Sequence, residues 1–296
     1  MKKTCILAIT ALSAIAASAQ PIRPVSNPVW SDNADVGTSI HPIYMHHRLP
    51  DQVSVTGEPG KVALGGDVNI FAVQAEIKLA DDLSLIAVKD GYIDFNPDNT
   101  LTADEGFADL AAGLKYVFLR NEGLTVSARV VAELPTGDDE VWQGNGDGVI
   151  VPGLVATKVS GNAQITGTAG YMAALDDGDS SMCYSALHLS YAVTEMIVPL
   201  VEVNYLHVTD AGDGGKRFNN QADGAVPSIV RFEGNDLINL GASNAEDNPD
   251  YVSLAVGARV LVTESLDLGA TYEFMLTDEE ESLTKDRVTV DAIVRF

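Results

Sequence analysis

The sequence predicts an all-β fold, a transmembrane antiparallel up-and-down β-barrel of about 12 strands. Three observations lead there. Segments of roughly ten to fourteen residues alternate apolar and polar positions along the chain. The connections between them alternate between tight turns and long loops rich in Gly and Asp. After an export-type start, no stretch is apolar for the roughly 18 to 20 residues that a spanning helix needs.

Residues 1–19 read as a signal peptide. Lys2 and Lys3 give the positive start, and the apolar run Cys5 to Ala16 is too short to remain as a spanning helix. Ala17, Ser18 and Ala19 form a small-residue cleavage pattern, with cleavage expected after Ala19. Cys5 lies inside the apolar run rather than at the cleavage point, which argues against a lipoprotein anchor. Processing leaves Cys183 alone, so no internal disulfide forms. Residues 20–35 are irregular and Pro-rich, with Trp30 among them. They either fold into the lumen from the periplasmic side or stay a disordered tether. Residues 36–296 form the barrel.

The last strand is the clearest. Val288, Val290, Ala292, Val294 and Phe296 share one face, and Arg287, Thr289, Asp291, Ile293 and Arg295 share the other. Side chains alternate across a strand, so one face is apolar and the other largely polar. The same split appears at 266–276, 252–262, 124–134 and 108–118. Weaker versions lie near 39–47, 66–79, 83–95, 149–158, 163–175, 183–192 and 197–208. In 83–95 and 149–158 the alternation leaves the outward face undecided. Short turns fall at 80–82, 120–123, 160–162, 193–195 and 263–265. Longer loops fall near 48–65, 96–106, 135–148, 176–181, 209–249 and 277–285. A soluble β-sandwich also alternates, but it does not make every second connection tight. In lipid an open sheet edge leaves backbone groups unpaired, so the sheet must close. An even strand count puts both termini on the periplasmic side of a bacterial outer membrane.

Two resemblances add to this. Phe296, closing an alternating strand, resembles the C-terminal signal by which the barrel-assembly machinery recognises its clients. The stretch Glu133, Leu134, Pro135, Thr136, Gly137 and Asp138, then Gly144 to Asp147, Pro152 to Leu154 and Lys158, resembles the outer-membrane transporter family known as "meta-pathway of phenol degradation". That resemblance implies a channel-like protein associated with uptake of hydrophobic or aromatic compounds. By local physics Pro135 ends strand pairing and Thr136, Gly137 and Asp138 form a rim turn.

If the apolar faces meet lipid, the other faces line the lumen. That places Glu76, Asp109, Glu133, Glu202, Asp267, Glu273 and Asp291 inside, with Lys78, Lys115, Arg129, Arg259, Arg287 and Arg295. Seven acids against six bases suggest ion pairs across a narrow or partly filled interior, because an ion-selective pore favours rings of one sign. Twelve strands also fall short of the wide porins.

The net charge of −24 excludes a basic nucleic-acid footprint. The acidic excess sits in the loops, at Asp138, Asp139, Glu140 and Asp147, at Asp278 to Glu281, and through 209–249. Such oxygen ligands suit divalent cations bridging to lipopolysaccharide, although the 138–147 spacing is not that of an EF-hand. His41, Met45, His46 and His47 do not make a metal site, since adjacent histidines in a strand point apart. No cofactor motif is present. No G-x-S-x-G elbow accompanies any histidine, and His207 with Asp210 lacks a serine motif, so an enzyme is not expected. The loop 209–249 carries Val226, Ile229, Val230, Phe232, Leu237, Ile238 and Leu240. A loop this long either folds inward as a constriction or lies on the surface around a short hairpin. The sequence thus favours a passive channel or transporter for small or hydrophobic solutes, aromatic ones among them. The alternative is a structural or adhesive surface barrel whose acidic loops bind cations or partners.

Overall fold

The computed structural model describes residues 21–55, 60–144, 146–213, 217–227, 234–235, 238–239 and 250–296. The signal peptide expected at 1–19 lies outside the described residues, as does most of the second half of the loop 209–249.

Twelve staves close into one antiparallel barrel among the described residues. They are β1 (Ser39–Arg48), β2 (Asp67–Lys78), β3 (Leu83–Lys89 and Tyr92–Asn96) and β4 (Asp104–Phe107 and Leu110–Asn121). Then follow β5 (Leu124–Leu134), β6 (Val149–Ser160), β7 (Ala163–Ala174) and β8 (Ser181–Tyr191). The last four are β9 (Ile197–Asp210), β10 (Asp250–Thr263), β11 (Leu266–Met275) and β12 (Asp286–Arg295). Each pairs with the next. The seam closes where β12 pairs with β1, from Ser39 opposite Arg295 to Arg48 opposite Asp286.

Closure follows from the sequence pattern. Outward positions carry Phe71, Leu114, Val130, Leu154, Ile165, Leu187, Val256, Leu268 and Val290, all exposed. Apolar side chains exposed in strand after strand make the outer surface a lipid-facing band. Aromatic rings mark both of its edges, with Tyr44, Phe71, Tyr92 and Phe107 toward the long loops and Tyr116, Phe118 and Tyr191 toward the short turns.

The two segments whose faces the alternation leaves undecided have distinct causes. In β3, Ser84, Ile86 and Val88 are buried below a break at Asp90–Gly91, while Ile93 and Phe95 are buried above it. The extra residues flip the inward parity from even to odd numbers, as a bulge does. Gly91 adopts φ 140°, and a Cβ there would lie 2.9 Å from the Phe71 carbonyl. The Asp90 carboxylate takes the Val73 amide at 2.8 Å, filling the gap in the ladder. In β6 the inward residues Val149, Val151 and Val155 are themselves apolar, so both faces read alike.

Candidate functional site: a filled lumen

The inward residues build two zones. Toward the long loops the lumen is apolar, lined by Met45 of β1, Ile70 of β2, Phe95 of β3, Val151 of β6, Met172 of β7, Met182 of β8 and Leu206 of β9. Trp142, from the loop after β5, closes over this zone with its ring centroid 4.4 Å from Phe95. Phe218 packs on Trp142 at 5.4 Å. Phe218 belongs to a short hairpin, Arg217–Asn220 with Gly224–Pro227, which bridges to Leu101 at the mouth. That part of the long loop packs on the apolar zone at this end.

Below this zone residues 21–35 fill the lumen, with Val25, Ser26, Val29, Trp30 and Asp32 buried. This segment makes no strand or helix. Its backbone polar groups therefore need side-chain partners from the wall, since an unpaired buried amide is costly. The wall supplies them. Glu202 accepts the amides of Val25 and Ser26 at 2.9 and 2.7 Å. Gln164 accepts the Ile22 amide at 2.7 Å and donates to the Ile22 carbonyl at 2.6 Å. Gln74 donates to the Pro28 carbonyl at 2.8 Å, and Arg129 to the Val29 carbonyl at 2.8 Å. Arg287 donates to the Ser26 carbonyl at 2.5 Å, and Arg259 to the Arg23 carbonyl at 3.1 Å.

The plug also brings its own charges. Lys115 donates to Asp32 of the plug and to Glu76 of β2, both at 3.0 Å. Arg23 of the plug lies 3.3 Å from Asp32. Burial would push the Asp32 carboxyl up, but Arg23, Lys115 and Arg129 hold it well below the usual carboxylate range. Buried charges persist only when paired and hydrogen-bonded, so this cluster clamps plug to wall. A polar vestibule of about 260 Å³ remains at the short-turn end, bordered by Arg23, Asp35, Lys78 and Arg295.

The charged residues singled out from the sequence separate into several groups. Arg259 grips Asp291 through both guanidinium ends at 2.9 and 2.8 Å, and His41 holds the same carboxylate at 2.7 Å. Arg287 pairs with Glu273 at 2.6 Å. Asp267 pairs with Arg295 near the short-turn end. Glu133 pairs with Lys89. Asp109 serves the rim instead of open space, accepting the amides of Gly137 and Gly144 at 2.9 Å each. The placement of Lys78 inside the lumen needs correcting. It lies two residues past buried Glu76, at the end of β2, where it is exposed and pairs with Asp81 of the turn at 3.0 Å.

The rim motif works as a latch. Asp138 takes the Phe107 amide at 2.6 Å and returns its own amide to the Phe107 carbonyl at 2.9 Å. The Thr136 hydroxyl accepts the Leu110 amide at 3.1 Å, while Leu134 faces lipid. Together they fold the loop back over β4, and Trp142 follows at φ 66°. His207 pairs with Asp250 at 2.8 Å, across β9 and β10, rather than with Asp210. Among the described residues no cluster of three metal-ligating side chains occurs, and His41 and His47 point inward while His46 does not.

Several plug and wall residues were not legible beforehand. Arg23 and Asp32 sit in a segment with no periodicity. Lys89 adjoins the parity flip. His188 holds Glu202 at 2.8 Å and Ser190 at 2.9 Å, and only the plug's two amides on Glu202 give that row its role.

No family model matches the chain, and no curated protein matches it in sequence. Solved barrels do resemble it. An outer membrane channel from Pseudomonas putida F1 is similar over 88% of this chain and 96% of that one, at 17% identity and a TM-score of 0.58. The NanC porin is similar over 86% of this chain and 100% of that one, at 6% identity and a TM-score of 0.51. At such identities the likeness is one of fold, the closed barrel of outer-membrane proteins.

Proposed function

We propose that the chain is a bacterial outer-membrane channel for small solutes, hydrophobic or aromatic ones among them, held shut at rest by residues 21–35. The observation that carries this reading is a lumen with an apolar extracellular half and a removable-looking, non-strand segment in the other half. The similar solved barrels, a channel by one name and a porin by the other, agree with it. So does the resemblance of the Leu134 to Asp138 stretch to the phenol-pathway transporters. Short turns on the periplasmic side put both termini there, within reach of a periplasmic partner. Phe296 would engage the assembly machinery, and the acidic loops would face lipopolysaccharide, bridged by divalent cations.

The test is permeability in liposomes. The mature chain is compared with one that begins at residue 36 behind its signal peptide. Arabinose-driven swelling should rise by about tenfold or more when the plug is absent. Equal impermeability of both forms would overturn the channel and favour the adhesive or structural barrel.

A further inference from the structure

Buried polar atoms without partners concentrate in one patch of the wall. Among the described residues twelve buried side-chain nitrogens and oxygens lack a hydrogen-bond partner. Six of them belong to Trp30, Ser127, Arg129, Thr168 and Tyr184. All five side chains are more than nine-tenths buried. Arg129 contributes two of the six, Nε and Nη1. Its only hydrogen bond among the described residues is from Nη2 to the Val29 carbonyl, and Asp32 acts on it only through space, without a direct contact. Two guanidinium donors left open at this depth are expensive, so the site is one that an anion in direct contact would stabilise.

The register shows how the patch is built. Gly153 of β6 lies opposite Arg129 of β5 and Gly170 of β7, and Gly170 lies opposite Tyr184 of β8. Tyr184 lies flat across both glycines, and a Cβ at either would collide with its hydroxyl. The same Cβ at Gly153 would stand 3.4 Å from Cγ of Arg129, so phenol and guanidinium converge over one glycine. Two residues toward the extracellular end, these four strands carry Val131, Val151, Met172 and Met182, all buried. Two residues the other way, β5 and β7 carry the open hydroxyls of Ser127 and Thr168. Donors thus lie below and in the row, and apolar surface lies above.

The plug currently meets this row with a carbonyl oxygen and a ring. Val29 gives its carbonyl to Arg129, and the Trp30 indole packs on Tyr184 with centroids 5.1 Å apart. An acyl oxygen beside an aromatic ring is the outline of an aromatic acid.

We propose that Arg129 and Tyr184, over Gly153 and Gly170, form a subsite for aromatic carboxylates, which compete there with Val29 and Trp30 of the plug. This rests on the channel reading and narrows its solute class. The carboxylate takes the open guanidinium donors and the phenol, as planar two-oxygen acceptors do. The ring faces Met172 and Met182, whose sulfurs suit aromatic edges. Displacing Val29 and Trp30 would then loosen the plug.

The experiment uses the mature protein with Trp142→Phe, which leaves Trp30 as its one tryptophan. Phenylacetate should change Trp30 emission saturably, and phenylacetamide, its uncharged isostere, should bind more weakly by about tenfold. Arg129→Gln should remove that preference, and Tyr184→Phe should reduce it by roughly threefold or more. Heat-modifiable gel mobility checks that each variant is folded. If Arg129→Gln does not fold, Tyr184→Phe carries the test alone. Equal binding of acid and amide by the parent protein, or an unchanged preference in Tyr184→Phe, would overturn the subsite. Arabinose flux with no preference for phenylacetate overturns the subsite and leaves the channel standing. Selective binding without flux through the chain beginning at residue 36 overturns the channel and leaves the subsite.

Discussion

The two halves of the lumen are filled by opposite means. Toward the short turns an irregular segment is held through its backbone, amide by amide, to charged and polar wall residues such as Glu202, Gln164 and Arg287. Toward the long loops the contact is packing, with Trp142 and Phe218 over Phe95 and its apolar neighbours. Hydrogen bonds to buried charges are directional and fail together when a partner is lost. Apolar packing is tolerant of shape and loses contacts gradually. The contact at the short-turn end therefore has the character of a latch, and the one at the long-loop end that of a lid.

Breaking the latch at its charged centre should have the largest effect. Lys115→Met leaves Asp32 and Glu76 buried with one cation fewer, a loss of about 3–5 kcal/mol. A lower guanidinium midpoint together with higher arabinose flux is expected. An unchanged midpoint would mean that the plug is held by shape alone.

The lid should respond next. Trp142→Ala removes a large buried side chain at the rim, at a loss of about 3 kcal/mol. Flux of the mature protein should stay low, because the plug is untouched. Flux equal to that of the plug-deleted chain would erase the distinction between the halves.

Glu202→Gln is smaller in scale. It keeps the side chain's shape but replaces charge-assisted bonds to Val25 and Ser26, a loss of about 1–3 kcal/mol in plug docking. Brief openings in planar bilayers should become more frequent while barrel melting barely moves.

The pH dependence is the mildest test. The folded carboxyl of Asp32 is depressed, so its contribution to the docked plug is complete above its ordinary value of 3.8 and declines as pH falls below it. Open probability should be flat at mildly acidic pH and climb only below about pH 4. An onset near pH 6 would instead mean that a group other than Asp32 sets the docking of the plug.

Alternation and loop length carry the fold because they are local. Period two sorts Arg259, Glu273, Arg287 and Asp291 to one face wherever their neighbours differ in polarity. The same rule fails at Asp90–Gly91, where a break changes parity, and in β6, where the inward residues are as apolar as the outward ones. It also ranks Lys78 with Glu76, although two residues along the strand separate a buried ion pair from an exposed one.

By itself the sequence determined that the chain closes as a barrel of antiparallel strands, because an apolar face repeated along so many strands has no other way to satisfy its backbone in lipid. It could offer residues 21–35 only as plug or tether. Which of these holds depended on partners a hundred residues or more away, such as Glu202 for Val25 and Arg129 for Val29. Only the tertiary structure brings them together, since an irregular segment carries no period and its place is set wholly by the donors and acceptors that the closed wall presents to it.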